Sequence, residues 1–451
     1  MEPVRRRWFY RYLPFGLCAL LGLSYFAYIH IFGVNVVYQD EWDFVPYFRD
    51  FAEGRMHWSR MFWSIHTDNL MFFPRLLMIG IYSISNYNSK WCMYAGALMQ
   101  SLSFVLIWLM GRENLPRNRW RAWHAAALAA MIFSWRQQEN ILWSFQLAWF
   151  MVAFFFLLGL YLIDRSLRGD GRLSCAALYA GAVFSGIVAS FSSIQGLIVW
   201  PAGLAYLALK RRVPWPEAVI WLSAGLACCA AYWRALPMND PAGAGRGAVG
   251  LIASSALKPW YALKFFLAAL ASMFASHWMD AYHVGIFFAP MLGLFAARLS
   301  LSRRREIYAL PAALILFALV FDAMLLWGRG HLGLGEATVS RHTAYAPLLM
   351  AGLYLFFQYD DSPEPLSPRL LAWARRLMPV LVVAAFVVSD AKGGISGCDW
   401  RVKQKRDVRE LEHIEVYSPA QLVEALNYKR LDDLKDRLAF LKVRRLNAFH
   451  D

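Results

Sequence analysis

Charge is what this sequence is short of. Asp, Glu, Lys and Arg make up 17% of its 451 residues, where a soluble domain carries nearer a quarter. With 59% hydrophobic and 16% aromatic residues, that shortfall excludes a soluble globular chain, and apolar runs recur along almost the whole length. Alternating strands of about ten residues, the mark of a membrane barrel, are missing too. Cysteine is sparse and scattered. Cys18, Cys92, Cys175, Cys228 and Cys229 lie in or beside apolar runs and Cys398 stands alone in the tail, so there is no CxxC and no disulfide framework. Internal repeats and low-complexity segments are also lacking. What these absences leave is an all-α polytopic membrane protein.

The net charge is +15, but its carriers sit in short clusters between apolar runs, and no nucleic-acid partner is expected. The clusters are Arg5 to Arg11, Arg112 to Arg121, Arg165 to Arg172, Lys210 to Arg212, Arg303 to Arg305 and Arg369 to Arg376. Such clusters mark cytoplasmic loops. Alternating them with Lys-poor, aromatic and amide-rich loops gives eleven spans, near 13–33, 91–110, 122–134, 141–163, 174–190, 196–209, 216–233, 284–299, 307–327, 343–358 and 377–389. The first follows a basic start but is too long for a cleaved signal and lacks a small-x-small exit. The N-terminus is then inside and the tail outside. The runs 70–85 and 260–275, broken by Pro74 and Arg75 and by Lys264, read as interfacial or re-entrant; if both cross, the count reaches thirteen.

The acidic stretch Gln39-Asp40-Glu41-Trp42-Asp43 directly follows the first span. A carboxylate this close to a membrane is expensive unless water or a charged partner receives it. On a helix, Asp40 and Asp43 share a face and Glu41 points elsewhere, so one of these acids suits a general base towards a sugar hydroxyl. The same residues also suit a solvated helix cap. The segments 43–53 and 56–66 read as surface helices whose Trp42, Phe44, Phe48, Phe51, Trp58, Phe62 and Trp63 face lipid headgroups.

Three further polar stretches stand out. His66 and Asn69 share a helical face ahead of Arg75, a fork donor for an anionic head group, although nothing stands at metal-ligand spacing to His66. Trp135 to Gln146 includes Gln138, Glu139 and Asn140, and Gln195 lies in a similar outer loop; both suit saccharide hydroxyls, or ordinary interfacial capping. Finally, Gly328 to His342 gathers Arg329, His331, Arg341 and His342 around glycines that let backbone amides approach a phosphate. Asp322, two turns before Arg329, is expected to pair with one of these arginines. The acids beyond span one and the arginines of this late loop are expected to meet in one water-filled pocket.

Taken in order, these residues resemble the GT-C superfamily of integral-membrane glycosyltransferases, in particular bacterial relatives of the protein O-mannosyltransferases and the lipid A aminoarabinose transferase. The likeness rests on Asp40-Glu41 after the first span, surface helices in the first outer loop (34–77) and about a dozen spans. A looser likeness is to bacterial membrane proteins carrying QDEW (Gln39 to Trp42), H-x-x-N with F-F-P-R-L-L (His66 to Leu77), Q-E-N-x-L-W-x-F-Q (Gln138 to Gln146) and G-R with S-R-H (Gly328-Arg329, Ser340 to His342). The resemblance implies a GT-C-like bundle over 1–389 in a bacterial inner membrane, with the active site on the periplasmic side. It implies a polyprenyl-phosphate sugar donor, a glycan, lipid or protein acceptor, and Asp40 as catalytic base in an inverting transfer. No cofactor is required by the sequence; a divalent metal is compatible, since some superfamily members use one. Residues 390–451 form a small outer helical appendage, with Ser418-Pro419 as a helix start and Leu422, Leu426, Leu431, Leu434, Leu438 and Leu441 at helical spacing. The alternative is a transporter or flippase of a lipid-linked or polar envelope precursor. Such proteins show repeats and a midplane site, whereas the polar residues here gather at one face.

Overall fold

The computed structural model describes residues 12–118, 120–169, 171–210, 215–239, 258–359, 367–412, 428 and 431–450. The expected helix start at Ser418-Pro419, with Leu422 and Leu426, and the basic cluster Arg5 to Arg11 lie outside them.

Among the described residues, eight helical stretches are long and apolar enough to cross a membrane: Leu13–Phe32, Ser89–Asn114, Ser144–Arg168, Arg172–Ser190, Trp215–Ala235, Trp278–Leu301, Arg305–Leu332 and Arg369–Arg409. The helices are α1 (Leu13–Phe32), α2 (Val45–Ala52), α3 (Trp58–Trp63), α4 (Phe72–Ser85), α5 (Ser89–Gly111) and α6 (Trp123–Ile132). Then come α7 (Gln138–Leu142), α8 (Leu147–Arg168), α9 (Arg172–Ser190), α10 (Val199–Leu209), α11 (Trp215–Asn239) and α12 (Pro259–Leu270). The chain continues through α13 (Trp278–Ile286), α14 (Phe288–Leu301), α15 (Ala309–Arg329), α16 (Ala346–Gln358), α17 (Pro368–Glu412) and α18 (Leu431–Val443).

Three stretches that read as spans are shorter in the structure. The runs 122–134, 196–209 and 343–358 become helices of 10, 11 and 13 residues, below the roughly 20 that a ~30 Å core requires. Their apolarity has a different cause. α16 is buried along nearly its whole length, so it is apolar because protein, not lipid, surrounds it. Helices α8 and α15 form the centre of the bundle, with two thirds of their apolar windows buried. The runs 70–85 and 260–275 give α4 and α12, of 14 and 12 residues, again short of span length.

The last long helix positions the site. α17 has 45 residues, about 67 Å at 1.5 Å per residue, and runs without a break through the boundary expected at 389. Beyond that point Gly393 and Gly397 replace side chains where the helix meets its neighbours: a Cβ at Gly393 would lie 2.5 Å from the Trp135 carbonyl, and one at Gly397 2.5 Å from the Tyr28 hydroxyl. Tyr28 donates to the Gly393 carbonyl at 2.6 Å, and the Trp135 amide donates to Asp390 at 2.9 Å.

Helix α18 folds back onto the segment that follows α1. Leu434, Leu438 and Leu441 are buried in one cluster with Trp42, Phe44, Phe48, Tyr82 and Tyr87. Trp42, Phe44 and Phe48, expected to face lipid headgroups, are thus covered by the chain's own tail at 0 to 5% exposure. Phe51 and Trp58 remain exposed.

Candidate active site

After α1 the chain runs extended to Tyr38, and Gln39 takes φ +49°, in the left-handed region that costs a non-glycine residue energy. A 3-10 turn over Gln39–Asp43 follows. At three residues per turn, positions three apart eclipse, so Asp40 and Asp43 share one edge and Glu41 and Trp42 are driven inward. Glu41, one of the three candidate acids, is therefore not part of the cavity. It is 1% exposed, accepting from Tyr82 Oη at 2.6 Å, Ser89 Oγ at 2.9 Å and the Tyr38 amide at 3.4 Å. Burial pushes its carboxyl above the usual range, against the hydrogen bonds from Tyr82, Ser144 and Ser89. It anchors the turn.

Opposite Asp40 and Asp43 stands a two-residue antiparallel hairpin pairing Ile65 with Leu70 and His66 with Asn69. It occupies the end of the stretch expected to be helical, and it sends its two polar side chains different ways. His66 Nε2 lies 3.4 Å from Asp40 Oδ2, and its Nδ1 lies 3.6 Å from Asp43 Oδ2. Asn69 turns back into the bundle, where Oδ1 accepts from Ser193 Oγ at 2.7 Å and the Ile194 amide at 2.9 Å. Asn69 and the adjoining Gln195, which contacts Ser193, stitch two outer loops together.

Asp40, Asp43 and His66 line a cavity of about 850 Å³ with Arg49, Asp50, His57, Arg60, Arg75, Tyr428 and Arg437. Four arginines and three aspartates line it, and two of the arginines, Arg49 and Arg437, also pair with Asp436 and Asp433 at 2.6 and 3.1 Å. Arg75 is half spoken for: it donates to the carbonyls of Met61 at 3.2 Å and Ser64 at 2.8 Å and lies over the Tyr47 ring. Arg60 stands exposed at the cavity. Burial works to raise the Asp43 carboxyl, but the Tyr428 hydroxyl and the Arg437 guanidinium outweigh it and hold the group below the usual carboxylate value. A depressed acid stabilises the fold fully above its unfolded pKa near ~3.9 and loses that contribution as pH falls through its lower folded value. Amide hydrogen exchange in α18 should accordingly stay slow from neutral pH down past the ordinary carboxylate range and speed up only below it.

The late glycine loop builds a different place. Arg341 pairs with Glu139 at 3.7 Å, beside a second cavity of about 410 Å³ lined by Arg136, Gln138, Glu139, Ser340 and Lys392 among others. Burial raises the Glu139 carboxyl, opposed by Arg341, Arg136 and Lys403. The expected single pocket holding Asp40 with Arg329 and Arg341 is thus two neighbouring clusters. Both adjoin Tyr38, whose hydroxyl meets Lys403 at 2.7 Å and whose carbonyl accepts from the Trp143 indole at 3.3 Å. Trp143 and Phe145, ring to ring at 5.7 Å, stand between, with Phe145 edge-on to His66.

Several other candidates are spent on holding this face together. Gln138 meets Ser340 Oγ at 2.7 Å and Asn140 donates to the Arg341 carbonyl at 3.1 Å. His342 is 7% exposed, with Nδ1 2.9 Å from the Glu336 carbonyl and its ring stacked on Trp149. Burial lowers its pKa to about 3, so it is neutral at physiological pH and does not capture an anion by charge. Arg329 and His331 are exposed. Among the described residues, Asp322 makes no ion pair with Arg329 or Arg341; the lipid-depth acid stays apart from both.

The guanidinium of Arg136, in the same stretch, closes on three carbonyls: Ser272 at 3.0 Å, Ala275 at 3.2 Å and Thr338 at 2.6 Å. Lysine has one point charge and cannot span them. Arg136→Lys should therefore leave buried acceptors unpaired at ~1–3 kcal/mol each, seen as a lowered detergent-solubilised melting temperature.

Sequence reasoning missed Arg49, His57, Arg60, Tyr428 and Arg437. Arg60 is the one Asp, Glu, Lys or Arg in the stretch 56–66, and nothing local marked the tail residues. Among the described residues, no group of three or more His, Cys, Asp or Glu side chains is arranged to hold a metal ion. The two nitrogens of His66 face two different carboxylates from opposite sides of the ring, so Asp40, Asp43 and His66 do not converge on one point.

No family model and no curated protein matches the chain. Among solved structures it is similar to ArnT from Cupriavidus metallidurans bound to undecaprenyl phosphate, at 13% identity and a TM-score of 0.47, covering 95% of this chain and 88% of that one. It is also similar to the archaeal oligosaccharyltransferase AglB from Archaeoglobus fulgidus, in complex with an inhibitory peptide and a dolichol-phosphate. That match has 13% identity and a TM-score of 0.48, and covers 86% of this chain and 56% of that one.

Proposed function

We propose that the protein is a membrane glycosyltransferase whose transfer site is the cavity of Asp40, Asp43 and His66, at the outer face of a bacterial inner membrane. The donor is a sugar on polyprenyl phosphate, and the acceptor is a hydroxyl of a cell-envelope glycan, lipid or protein. One observation carries the reading: Asp40 is a half-exposed carboxylate (50% of its side chain) held against a histidine, inside a polar cavity that Arg60 and Arg75 also line, directly beyond the first membrane helix.

The chemistry is a single displacement. The acceptor oxygen attacks the anomeric carbon, Asp40 takes the hydroxyl proton, and the bond from that carbon to the phosphate oxygen breaks. Polyprenyl phosphate departs from the opposite face with the electron pair, inverting the configuration. A phosphate is a competent leaving group, so no acid partner is needed. Arg60 and Arg75 are the cations placed to meet its charge. No step is routed through a metal.

The test is transfer by the purified full-length protein in nanodiscs, given undecaprenyl-phosphate-linked radiolabelled hexoses and pentoses. With envelope lipid and glycan extracts added as the source of the acceptor hydroxyl, release of undecaprenyl phosphate with a glycosylated acceptor of inverted configuration is the expected result. Movement of the intact lipid across vesicles without covalent change would instead establish the transporter.

A further inference from the structure

Asp43 is gripped from the far end of the chain. Arg437 on α18 donates through Nη1 to Asp43 Oδ1 at 2.7 Å and to the Trp42 carbonyl at 3.0 Å. Tyr428 donates to the same Oδ1 at 2.6 Å, and Asp433 meets the other guanidinium nitrogen at 3.1 Å. With Oδ1 engaged by both, Oδ2 is turned to His66 Nδ1. The far side of the ring then presents Nε2, a buried nitrogen with no hydrogen-bond partner, to Asp40 Oδ2. The edge of Phe145 closes the ring in at 5.0 Å between centroids.

We propose that Arg437 is a positioning residue of the transfer site: by fixing Asp43 it sets the His66 ring, and through that ring the Asp40 carboxylate that receives the proton. The tail is then a working wall of the site. This rests on reading the cavity as the place of transfer.

Tethering the tail does not need this arginine. Leu434, Leu438 and Leu441 are buried against the first loop, and Asn447 donates to the Tyr87 carbonyl and to Asn35, each at 2.9 Å. Arg49 pairs with Asp436 at 2.6 Å nearer the surface. A long, flexible cation is nevertheless 8% exposed at the centre of that contact, where its desolvation is unfavourable unless its hydrogen bonds are well made. A seat made of leucines alone would hold the helix; it would not orient a carboxylate.

The experiment compares the wild type, Arg437→Gln, Arg437→Lys and Asp436→Asn as full-length proteins in nanodiscs. The first readout is the rate at which diethyl pyrocarbonate acylates His66, followed by peptide mass spectrometry. Arg437→Gln should react at least threefold faster than the wild type, Arg437→Lys should fall between them, and Asp436→Asn should match the wild type. The second readout is sugar release from the same undecaprenyl-phosphate-linked sugars. Here Arg437→Gln should lose at least tenfold in kcat with KM within twofold, and Arg437→Lys should recover part of it.

Wild-type His66 labelling in Arg437→Gln, with the tail still protected from protease, would overturn the proposal. Should that variant fail to fold, Tyr428→Phe, which removes a donor on Oδ1, decides on the same labelling: an accelerated rate supports the proposal and an unchanged rate overturns it. A labelling shift in a wild type that transfers no sugar would sink the transferase reading while the positioning of His66 by Arg437 stood.

Discussion

Asp40→Asn should insert, purify and melt as the wild type does, with sugar transfer down by roughly two to four orders of magnitude, the usual weight of a general base. The two halves of this expectation have separate causes. Half of the Asp40 side chain is open to the cavity, and its ion-pair neighbour is a histidine at 3.4 Å. An amide of the same shape therefore breaks no hydrogen bond to His66 Nε2, which has no hydrogen-bond partner in the wild type, and surface changes of this kind usually shift stability by no more than about 0.5 kcal/mol. The amide cannot, however, take the proton released as the acceptor hydroxyl attacks. Initial rates of undecaprenyl phosphate release, measured beside a thermal melt of the same preparation, check both halves. Transfer retained at more than a tenth of the wild-type rate would move the base to Asp43, the other carboxylate in the cavity.

One residue further on, the expected result reverses. Glu41→Ala should cost about 2–5 kcal/mol of stability, because it leaves the Tyr82 and Ser89 hydroxyls without their shared acceptor and opens a void beneath the acidic turn. Glu41→Gln keeps the shape and one acceptor oxygen, and its effect depends on pH. A buried acid whose folded pKa is raised becomes relatively less stable as pH climbs from its unfolded value, since the unfolded chain ionises first. The glutamine variant has no such term. Its melting temperature should therefore gain on that of the wild type as pH rises above about 4.3, and the gap should close again in acid. A Glu41→Gln protein that folds well but transfers nothing would instead make Glu41 a participant in the chemistry.

These two neighbours show how far the sequence could be read. The run QDEW announced acids at a membrane edge, and acids there require water or a cation, so a polar cavity beyond the first span was legible. Which acid faces it was not. A helical reading gave Asp40 and Asp43 one face, as the 3-10 turn does, but the depth of Glu41 depends on Tyr82 and Ser89, which lie on helices whose approach no local pattern encodes. The arginines were harder still. Arg136, Arg341 and Arg437 are the same side chain in one dimension. In three, the first closes on backbone carbonyls, the second on Glu139 and the third on Asp43.

The apolar helices of the first outer loop make the same point. Amphipathic spacing required Trp42, Phe44 and Phe48 to be covered, and it is satisfied equally by lipid or by protein. The tail covers them, almost four hundred residues away from Asp43 in the chain. By itself the sequence determined the membrane class and the acidic start of the loop after the first span, because composition and short-range spacing act within a few residues. Only the tertiary structure decided which acid is wet, which arginines are free for a ligand and what lies over the loop. Those outcomes depend on partners brought together from distant parts of the chain, and a side chain does not carry its partner's identity in its own neighbourhood.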